Sequence, residues 1–370
     1  MNVKNLQDLS ALVAQKEHGD ITTLADAMLS GAVSLDASDV HIEPREQQSQ
    51  VRLRIDGLLQ DAFSLQKSVA QNLLSRVKLM AGLKLNVEDR PQDGRFSLGE
   101  GEGQHVEVRA ATLPSEHGES LVLRILNPKR LFGLKDLGLR EDLLLLFEKE
   151  IKKPNGMILV TGPTGSGKTT TLYAFLREVT KPELKVVTIE DPIEYHLQGV
   201  SQTQVDVAKG YDFASGLKAI VRQDPDVILV GEMRDKETVD IALQASLTGH
   251  LVFSTLHTND AVGTIARLTS LEAKIETAAS ALNLIIAQRL ARQVCPACKT
   301  TESATQSERA VIEKALRGLA EDLRPKLQKK LKLVKAKGCA ACNSTGYKGR
   351  VGIFEAIEVD EKTEEFILKS

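Results

Sequence analysis

The chain has 370 residues, enough for two or three domains with a substantial core. Hydrophobic residues make up 42% and charged residues 26%, the balance of an ordinary soluble globular protein. With 48 Lys and Arg against 50 Asp and Glu, the net charge is −2, so we expect no nucleic acid as the main partner. The longest apolar runs, such as Leu143–Phe147, are far too short to cross a bilayer, and no apolar signal core follows Met1. The sequence therefore predicts a cytoplasmic protein without direct membrane insertion, attached to a membrane only through a partner.

The first third of the chain has the pattern of an α+β domain. Residues 1–30 carry a modest helical periodicity, and residues 67–83 place apolar side chains at helical spacing. The segment Val51–Gly57 alternates apolar and charged residues and stops at a turn, as a half-buried strand does. Three further short strands are predicted, at Arg95–Leu98, His105–Leu113 and Ser120–Leu126. One helix among several antiparallel strands predicts an α+β domain that ends near residue 127.

From about residue 139 helical patterns alternate with short apolar runs. Four runs predict buried parallel strands, at Gly156–Thr161, Lys185–Glu190, Val227–Gly231 and His250–Thr255. This order predicts a doubly wound α/β core. After about Arg292 the chain becomes polar and Lys-rich, and it closes with a predicted strand, Arg350–Val359, and a short helix.

The segment after the first of these runs matches the pattern of a phosphate-binding loop (P-loop). It reads Gly162-Pro163-Thr164-Gly165-Ser166-Gly167-Lys168-Thr169, and a predicted helix follows it. Glycines let backbone N–H groups converge on phosphate oxygens, and the helix N-terminus adds partial positive charge. We expect Lys168 to reach the β- and γ-phosphates of ATP and the Thr169 hydroxyl to bind Mg²⁺, with Thr170 completing the nucleotide site.

Hydrolysis also needs a group that orients or deprotonates water, and two predicted strands end in carboxylates. Glu232 follows one apolar strand, while Glu190, Asp191 and Glu194 follow another. Any one of these acids alone is more typical of a solvated loop charge than of a catalytic residue. As a set beside a P-loop they predict catalytic residues, and which of them is the base is left open.

His257 lies in the polar segment that follows the fourth predicted strand. Ligands of such sheets bind at the carboxyl ends of the strands, so this histidine is a candidate for sensing phosphate. A satisfied structural histidine is the alternative.

All four cysteines fall in two Cys-x-x-Cys pairs, Cys295/Cys298 and Cys339/Cys342. Without a secretion signal, this pairing favours a metal over disulfides. Four thiolates match the tetrahedral preference of Zn²⁺, and a closed four-sulfur site is structural. The Leu- and Lys-rich spacer between the pairs indicates inserted helices, and four cysteines without metal are the alternative.

Taken in order, these segments resemble the secretion ATPase superfamily of type II secretion and type IV pilus assembly. The P-loop matches the family's nucleotide motif, and Glu190–Glu194 matches its acidic box. The remaining matches are Ser38–Pro44, Arg90–Arg95, the Walker B-like region Arg222–Asp235, the histidine box Thr248–Asp260 and Gln288–Leu290. The similarity covers roughly residues 30–360.

The resemblance implies a hexamer of identical subunits on the cytoplasmic face of an inner-membrane platform, peripheral to that membrane. It also implies a PAS-like N-terminal domain (1–130, with leading helices), a RecA-like ATPase core (131–292), a tetracysteine zinc subdomain (293–350) and a C-terminal strand and helix (351–370). Arg95 and Arg109 match arginines of the PAS-like domain that reach the nucleotide when domains close. Zinc is favoured because assembly-type members carry the cysteine quartet and pilus retraction motors lack it.

Three features depart from the family pattern. Type II members usually carry a further N-terminal domain that docks on a membrane partner, whereas this chain begins almost at the PAS-like domain, which leaves its anchoring open. Lys218 stands where the family often has Arg. The chain ends at Ser370, soon after the last recognisable strand, so either the protein is short or its sequence is trimmed.

The function expected from these observations is an ATP-hydrolysing motor that assembles a pseudopilus or pilus. A low-activity nucleotide-binding regulatory module and a DNA-translocating relative are the alternatives. The intact Lys168, Thr169, Glu194 and Glu232 argue against the first alternative, and the near-neutral charge argues against the second.

Overall fold

The computed structural model describes residues 3–17, 19–99, 105–128, 131–319, 321, 324–325, 327–328 and 330–369. Backbone contacts divide the chain into two units. The first unit contains Met1–Glu100, Val106–Ile125 and Arg292–Arg350, and the second contains Leu126–Ala291 and Val351–Ser370. Among the described residues, no helix combines the length and the apolar character needed to cross a membrane.

A six-stranded sheet organises the first unit, with the strand order β3-β2-β1-β6-β5-β4. Its strands are β1 (Ala37–Pro44), β2 (Gln48–Ile55), β3 (Leu58–Gln66), β4 (Gln92–Leu98), β5 (Val106–Ser115) and β6 (Gly118–Leu126). The predicted alternation at Val51–Gly57 is confirmed within β2, since Val51, Leu53 and Ile55 are buried and the two arginines between them are not. One face of each strand therefore supplies the core of this sheet.

Helices cover the buried face of that sheet and share its hydrophobic cluster. They are α1 (Leu6–Lys16), α2 (Ile21–Ser34) and α3 (Lys67–Met80). The structure confirms the predicted helical patterns near the N-terminus and after residue 67. Gly31 lets α1 and α2 approach closely, because a Cβ at that position would lie 2.4 Å from a methyl group of Leu9.

In its described residues, the cysteine segment of the first unit holds one α-helix and one small antiparallel sheet. Its elements are β13 (Thr300–Ser303), α10 (Gln306–Arg317) and β14 (Lys332–Lys335), and a 3₁₀ turn at Ala340–Cys342 follows. Thr305 and Glu308 form a capping box at the start of α10, which satisfies backbone N–H groups there. The prediction of inserted helices holds for α10, whereas the β13–β14 hairpin was not foreseen.

The second unit is built on a seven-stranded sheet with the order β15-β12-β7-β11-β10-β8-β9. Its strands are β7 (Gly156–Thr161), β8 (Val186–Glu190), β9 (Val200–Gln204), β10 (Val227–Val230), β11 (Leu251–Leu256), β12 (Leu282–Val294) and β15 (Tyr347–Glu358). The strands from β7 to β12 pair in parallel. All four apolar runs predicted as strands are confirmed, at β7, β8, β10 and β11.

Two hydrophobic clusters explain why β7, β8, β10 and β11 are mostly apolar. Leu159 of β7 belongs to one cluster, while its neighbours Ile158 and Val160 belong to the other. Both sheet faces are therefore covered. The helices of this unit are α4 (Glu141–Glu150), α5 (Lys168–Val179), α6 (Phe213–Val221), α7 (Lys236–Leu247), α8 (Gly263–Ser270), α9 (Ile275–Ala281) and α11 (Glu361–Lys369).

Candidate functional site

One edge of the seven-stranded sheet collects the predicted site residues of the second unit. The P-loop follows β7, His257 follows β11, Glu232 lies just past β10, and Glu190 is the last residue of β8. These strands are neighbours in the order β7-β11-β10-β8 and run in parallel. Their carboxyl ends consequently meet at one edge, where ligands of open α/β sheets bind.

The P-loop turns tightly at glycines that a larger residue could not replace. Gly162 has φ +143°, and a Cβ there would lie 2.4 Å from the carbonyl oxygen of Gln288. Gly167 has φ +90°, and a Cβ there would lie 2.8 Å from Nε2 of the same glutamine. Positive φ at these positions is a conformation that side chains disfavour. Gln288 is buried and accepts a hydrogen bond from Thr171 of α5 at 2.7 Å, so it braces the loop from within.

Lys168 is the first residue of α5, and its ammonium group lies under the loop. Nζ donates to the carbonyl oxygen of Gly162 at 2.8 Å and lies 3.4 Å from that of Pro163. Burial lowers the pKa of Lys168, while the charge of Glu232 acts in the opposite direction. The exposed loop residues Pro163, Thr164 and Gly165, and the exposed Thr169, lie beside it. A cationic group is thus held among backbone groups that an anionic phosphate could approach.

Glu232, His257 and Lys168 form a chain of polar contacts. His257 Nδ1 lies 3.5 Å from Lys168 Nζ, and its Nε2 lies 3.4 Å from a carboxylate oxygen of Glu232. An ammonium group can only donate, so Nδ1 accepts and the proton of a neutral ring lies on Nε2, facing the carboxylate. Glu232 also pairs with Arg234. The Glu232 side chain is 15% exposed, so water can reach this carboxylate, which lies near the P-loop lysine.

The loop after β11 is tied directly to the P-loop strand. Thr258 donates from its backbone N–H to the hydroxyl of Thr161 at 2.8 Å, and the two hydroxyls lie 2.7 Å apart. Thr161 is the last residue of β7. These hydrogen bonds fix the backbone next to His257 against the strand that leads into the P-loop, although the His257 side chain itself is half exposed.

Glu190 has a different environment from Glu232. It is buried and accepts hydrogen bonds from Tyr173, Thr188 and Gln202, at 2.5, 2.7 and 3.1 Å. Burial and the neighbouring Glu190 carboxylate raise the pKa of Tyr173, so its hydroxyl stays protonated and donates. Asp191 is exposed and Glu194 is half-buried in the loop that follows.

Arg95 and Arg109 lie in the first unit and face each other across the β4–β5 pair. The Arg95 side chain is 73% exposed and lies 4.0 Å from Glu107. Thr170 is half-buried on α5 beside Thr169.

The four cysteines form a compact cluster, with their sulfur atoms all within 4.8 Å of one another. Cys342 Sγ lies 3.8 Å from the sulfurs of both Cys298 and Cys339. A zinc tetrahedron with Zn–S bonds of about 2.3 Å has sulfur–sulfur edges of about 3.8 Å, so the four thiols fit this metal. Burial alone would raise the pKa of Cys342, but N–H groups of Cys339 and Gly346 point at its sulfur and lower the pKa to about 7.

Sequence reasoning did not assign roles to Gln288, Thr161, Thr258, Tyr173 or Gln202. In the sequence, Gln288 is recognised only as part of the segment before the cysteines. A tyrosine on an apolar helix face and a glutamine on a short strand carry no local signal of a site. Their contacts become visible only when distant strands are brought together.

The chain matches the family model described as type II/IV secretion system protein over residues 14–370. It is 45% identical over 351 residues to the type II secretion system protein E of Pseudomonas aeruginosa, covering 95% of this chain and 68% of that relative. The type II secretion system ATPase E of Vibrio cholerae is 45% identical over 358 residues, covering 96% and 69%. The chain belongs to the type II/IV secretion system protein family. It is an ATPase of the secretion and pilus motors.

Solved structures agree with this family. The pilus retraction motor PilT, crystallised with ADP, is 29% identical, with a TM-score of 0.61 over 93% of this chain and 85% of that chain. The Legionella pneumophila ATPase DotB is 23% identical, with a TM-score of 0.65 over 93% and 83%, and shows the fold alone. The likeness to PilT and the family match together make the α/β core of this chain a RecA-like ATPase domain.

Proposed function

We propose that this chain is the ATP-hydrolysing motor of a type II secretion machine, where it drives pseudopilus assembly. The observation that carries the proposal is the P-loop lysine in contact with the His257–Glu232 pair, in a chain 45% identical to type II secretion proteins E. The motor works as a homo-hexamer, cytoplasmic and peripheral at the inner membrane. It docks there on the platform of the secretion machine and takes no nucleic acid as substrate.

The P-loop from Gly162 to Thr169 binds the phosphates of ATP through its backbone N–H groups, and Thr170 completes the site. Lys168 exchanges its contacts with the loop carbonyls for oxygens of the β- and γ-phosphates. The Thr169 hydroxyl, exposed at the start of α5, is the protein ligand for Mg²⁺. When bound, Mg²⁺ neutralises charge on the transferring phosphoryl group.

The carboxylates divide the hydrolytic work according to their surroundings. Glu232 is close to Lys168 and open to water, so it orients or deprotonates the attacking water. His257 bridges these two residues and responds to the γ-phosphate through its contact with Lys168. Glu194 and Asp191 contribute to catalysis from the loop after β8, and the buried Glu190 helps to hold that loop in place. Arg95 and Arg109 supply positive charge to the transition state of hydrolysis.

The chain is organised as a PAS-like domain (1–130), the RecA-like core (131–292), a zinc subdomain (293–350) and a C-terminal strand and helix (351–370). The covered antiparallel sheet β1–β6 supports the first assignment. Cys295, Cys298, Cys339 and Cys342 hold one structural Zn²⁺, supported by sulfur spacings that match a zinc tetrahedron. A closed site of four thiolates leaves the metal no position for chemistry.

Steady-state hydrolysis by the purified chain tests the proposal. Wild type should hydrolyse ATP only with Mg²⁺, Lys168→Ala should hydrolyse none with an unchanged circular-dichroism spectrum, and Lys181→Ala, an exposed lysine of the same unit, should match wild type. Nucleotide binding without hydrolysis by wild type would instead indicate a regulatory module. Salt-dependent DNA binding that stimulates hydrolysis would indicate a DNA translocase. In the host cell, the Lys168→Ala allele should stop export of secreted proteins without reducing their synthesis.

A further inference from the structure

A buried hydrogen-bond network links the P-loop helix to the end of β8. The Tyr173 hydroxyl, on the second turn of α5, donates to Glu190 at 2.5 Å, and Gln202 of β9 donates to the same carboxylate at 3.1 Å. Tyr173 is 2% exposed and Glu190 is 3% exposed. A carboxylate this deeply buried needs several donors, which these side chains and Thr188 provide.

Tyr173 and Gln202 also hold the backbone of the loop that follows β8. Tyr173 accepts a hydrogen bond from the N–H of Tyr195 at 3.4 Å, and the two rings pack edge to face at 5.9 Å. Gln202 donates to the carbonyl of Tyr195 at 3.0 Å and accepts from the N–H of Leu197 at 2.7 Å. Both glutamine groups are therefore used, one on the carboxylate and the loop carbonyl and the other on the loop N–H.

The loop residue next to Tyr195 is Glu194, one of the carboxylates placed in the hydrolytic site. The hydrogen bond from the Tyr195 N–H to the Tyr173 hydroxyl therefore lies one residue from Glu194. We propose that Tyr173, Glu190 and Gln202 are positioning residues that fix the loop Asp191–His196 to the P-loop helix, so that Glu194 keeps a set place relative to bound ATP. This rests on the proposed role of Glu194 in hydrolysis.

Tyr173→Phe removes the shared hydroxyl and keeps the ring. If Tyr173 positions Glu194, kcat should fall at least about tenfold, while KM and the Kd for a fluorescent ATP analogue stay within about twofold. Tyr211→Phe is the matched control. The Tyr211 hydroxyl receives a hydrogen bond from Thr203 of β9 at 3.0 Å, and its loss should leave kcat unchanged.

A double-mutant cycle separates positioning from a general loss of structure. Glu194→Gln should lower kcat by itself, and adding Tyr173→Phe to it should lower kcat by less than about twofold more. Two effects that multiply in full would show that Tyr173 acts independently of Glu194 and would overturn the proposal. So would an unchanged kcat in Tyr173→Phe.

Gln202→Met is the second probe, used if Tyr173→Phe does not fold. It keeps the side-chain length but removes the donor and the acceptor, and it should give the same pattern of lower kcat, constant KM and no further loss on top of Glu194→Gln. An unchanged kcat in a folded Gln202→Met variant counts against the proposal. Failure here differs from failure of the ATPase function itself, because in that case Lys168→Ala would retain hydrolysis.

Discussion

The P-loop and the cysteine cluster are both built from short turns between regular elements, but one is open and the other is closed. Pro163, Thr164, Gly165 and Thr169 are exposed around a lysine that lies beneath them. Among the cysteines, Cys295 and Cys342 are buried and Cys298 and Cys339 are partly exposed, and the four sulfurs lie close to one another. An open loop of N–H groups suits a ligand that must enter and leave in every cycle. A closed set of thiols suits a metal that stays.

The strongest test of the open site is Glu232→Gln. It keeps the shape and the polar contact to His257 but removes the negative charge, so nucleotide should still bind while kcat falls about 100-fold, or about 2.7 kcal/mol in barrier height. Glu237→Gln, an exposed glutamate on α7, is the matched control and should behave as wild type. Weak nucleotide binding by Glu232→Gln would indicate that Glu232 has a structural role. The open site would then resemble the cysteine cluster in that its charged group serves structure rather than chemistry.

The variants Arg95→Ala and Arg109→Ala test whether these two arginines contribute positive charge to hydrolysis at the open site. Charge that meets the phosphate only in the transition state lowers kcat and leaves KM little changed, so we expect a fall in kcat of about tenfold in the proposed hexamer. Arg45→Ala removes an exposed arginine of the same unit and should have no effect. Full activity of both variants would take the two arginines out of the mechanism.

Of these variants, Cys342→Ser should have the smallest effect on nucleotide binding. Its main effect should be on the structure of the cysteine segment. Metal binding contributes to the folding free energy of such a module, so zinc content should fall well below one per chain and hydrogen exchange should speed up within residues 293–350. The Kd for nucleotide should change less than about twofold. Elemental analysis, exchange mass spectrometry and nucleotide titration measure these three quantities.

Removing metals with chelators compares the P-loop site and the cysteine cluster without any amino-acid substitution. A strong zinc chelator should loosen the cysteine segment and spare the P-loop unit, whereas removing Mg²⁺ alone should stop hydrolysis and leave the cysteine segment protected. Full thermal stability of Cys342→Ser in a protein that otherwise contains one zinc per chain would leave the metal without a structural role.

The parts of the fold that could be predicted from the sequence are the strands that are buried on both faces of the sheet. The strands β7, β8, β10 and β11 are buried at every position because both sheet faces are covered, so most of their residues are apolar, and that pattern is local. The strand β12 was not predicted, because Gln288 and the arginines that follow it interrupt the apolar run. Its burial depends on pairing with β7, which no local pattern reveals.

The candidate site divides in the same way. The P-loop could be located because its glycines, lysine and threonine are adjacent in sequence and each is required by phosphate chemistry. Glu190 and Glu232 could not be told apart, since both end an apolar strand. Their difference comes from Tyr173 and Gln202, which approach one carboxylate from other parts of the chain, and from His257, which approaches the other.

The shared hydrogen bonds of Tyr173, Glu190 and Gln202 restrict how this chain can change over evolutionary time. Replacing any one of the three would remove a hydrogen-bond partner from a buried polar group, at a cost of about 1–3 kcal/mol. Single substitutions at these positions should therefore be rare among descendants, and an exchange of the tyrosine should occur together with a change at the glutamate. The three positions would then be inherited as a unit, although Tyr173 and Gln202 stand 29 residues apart in the chain.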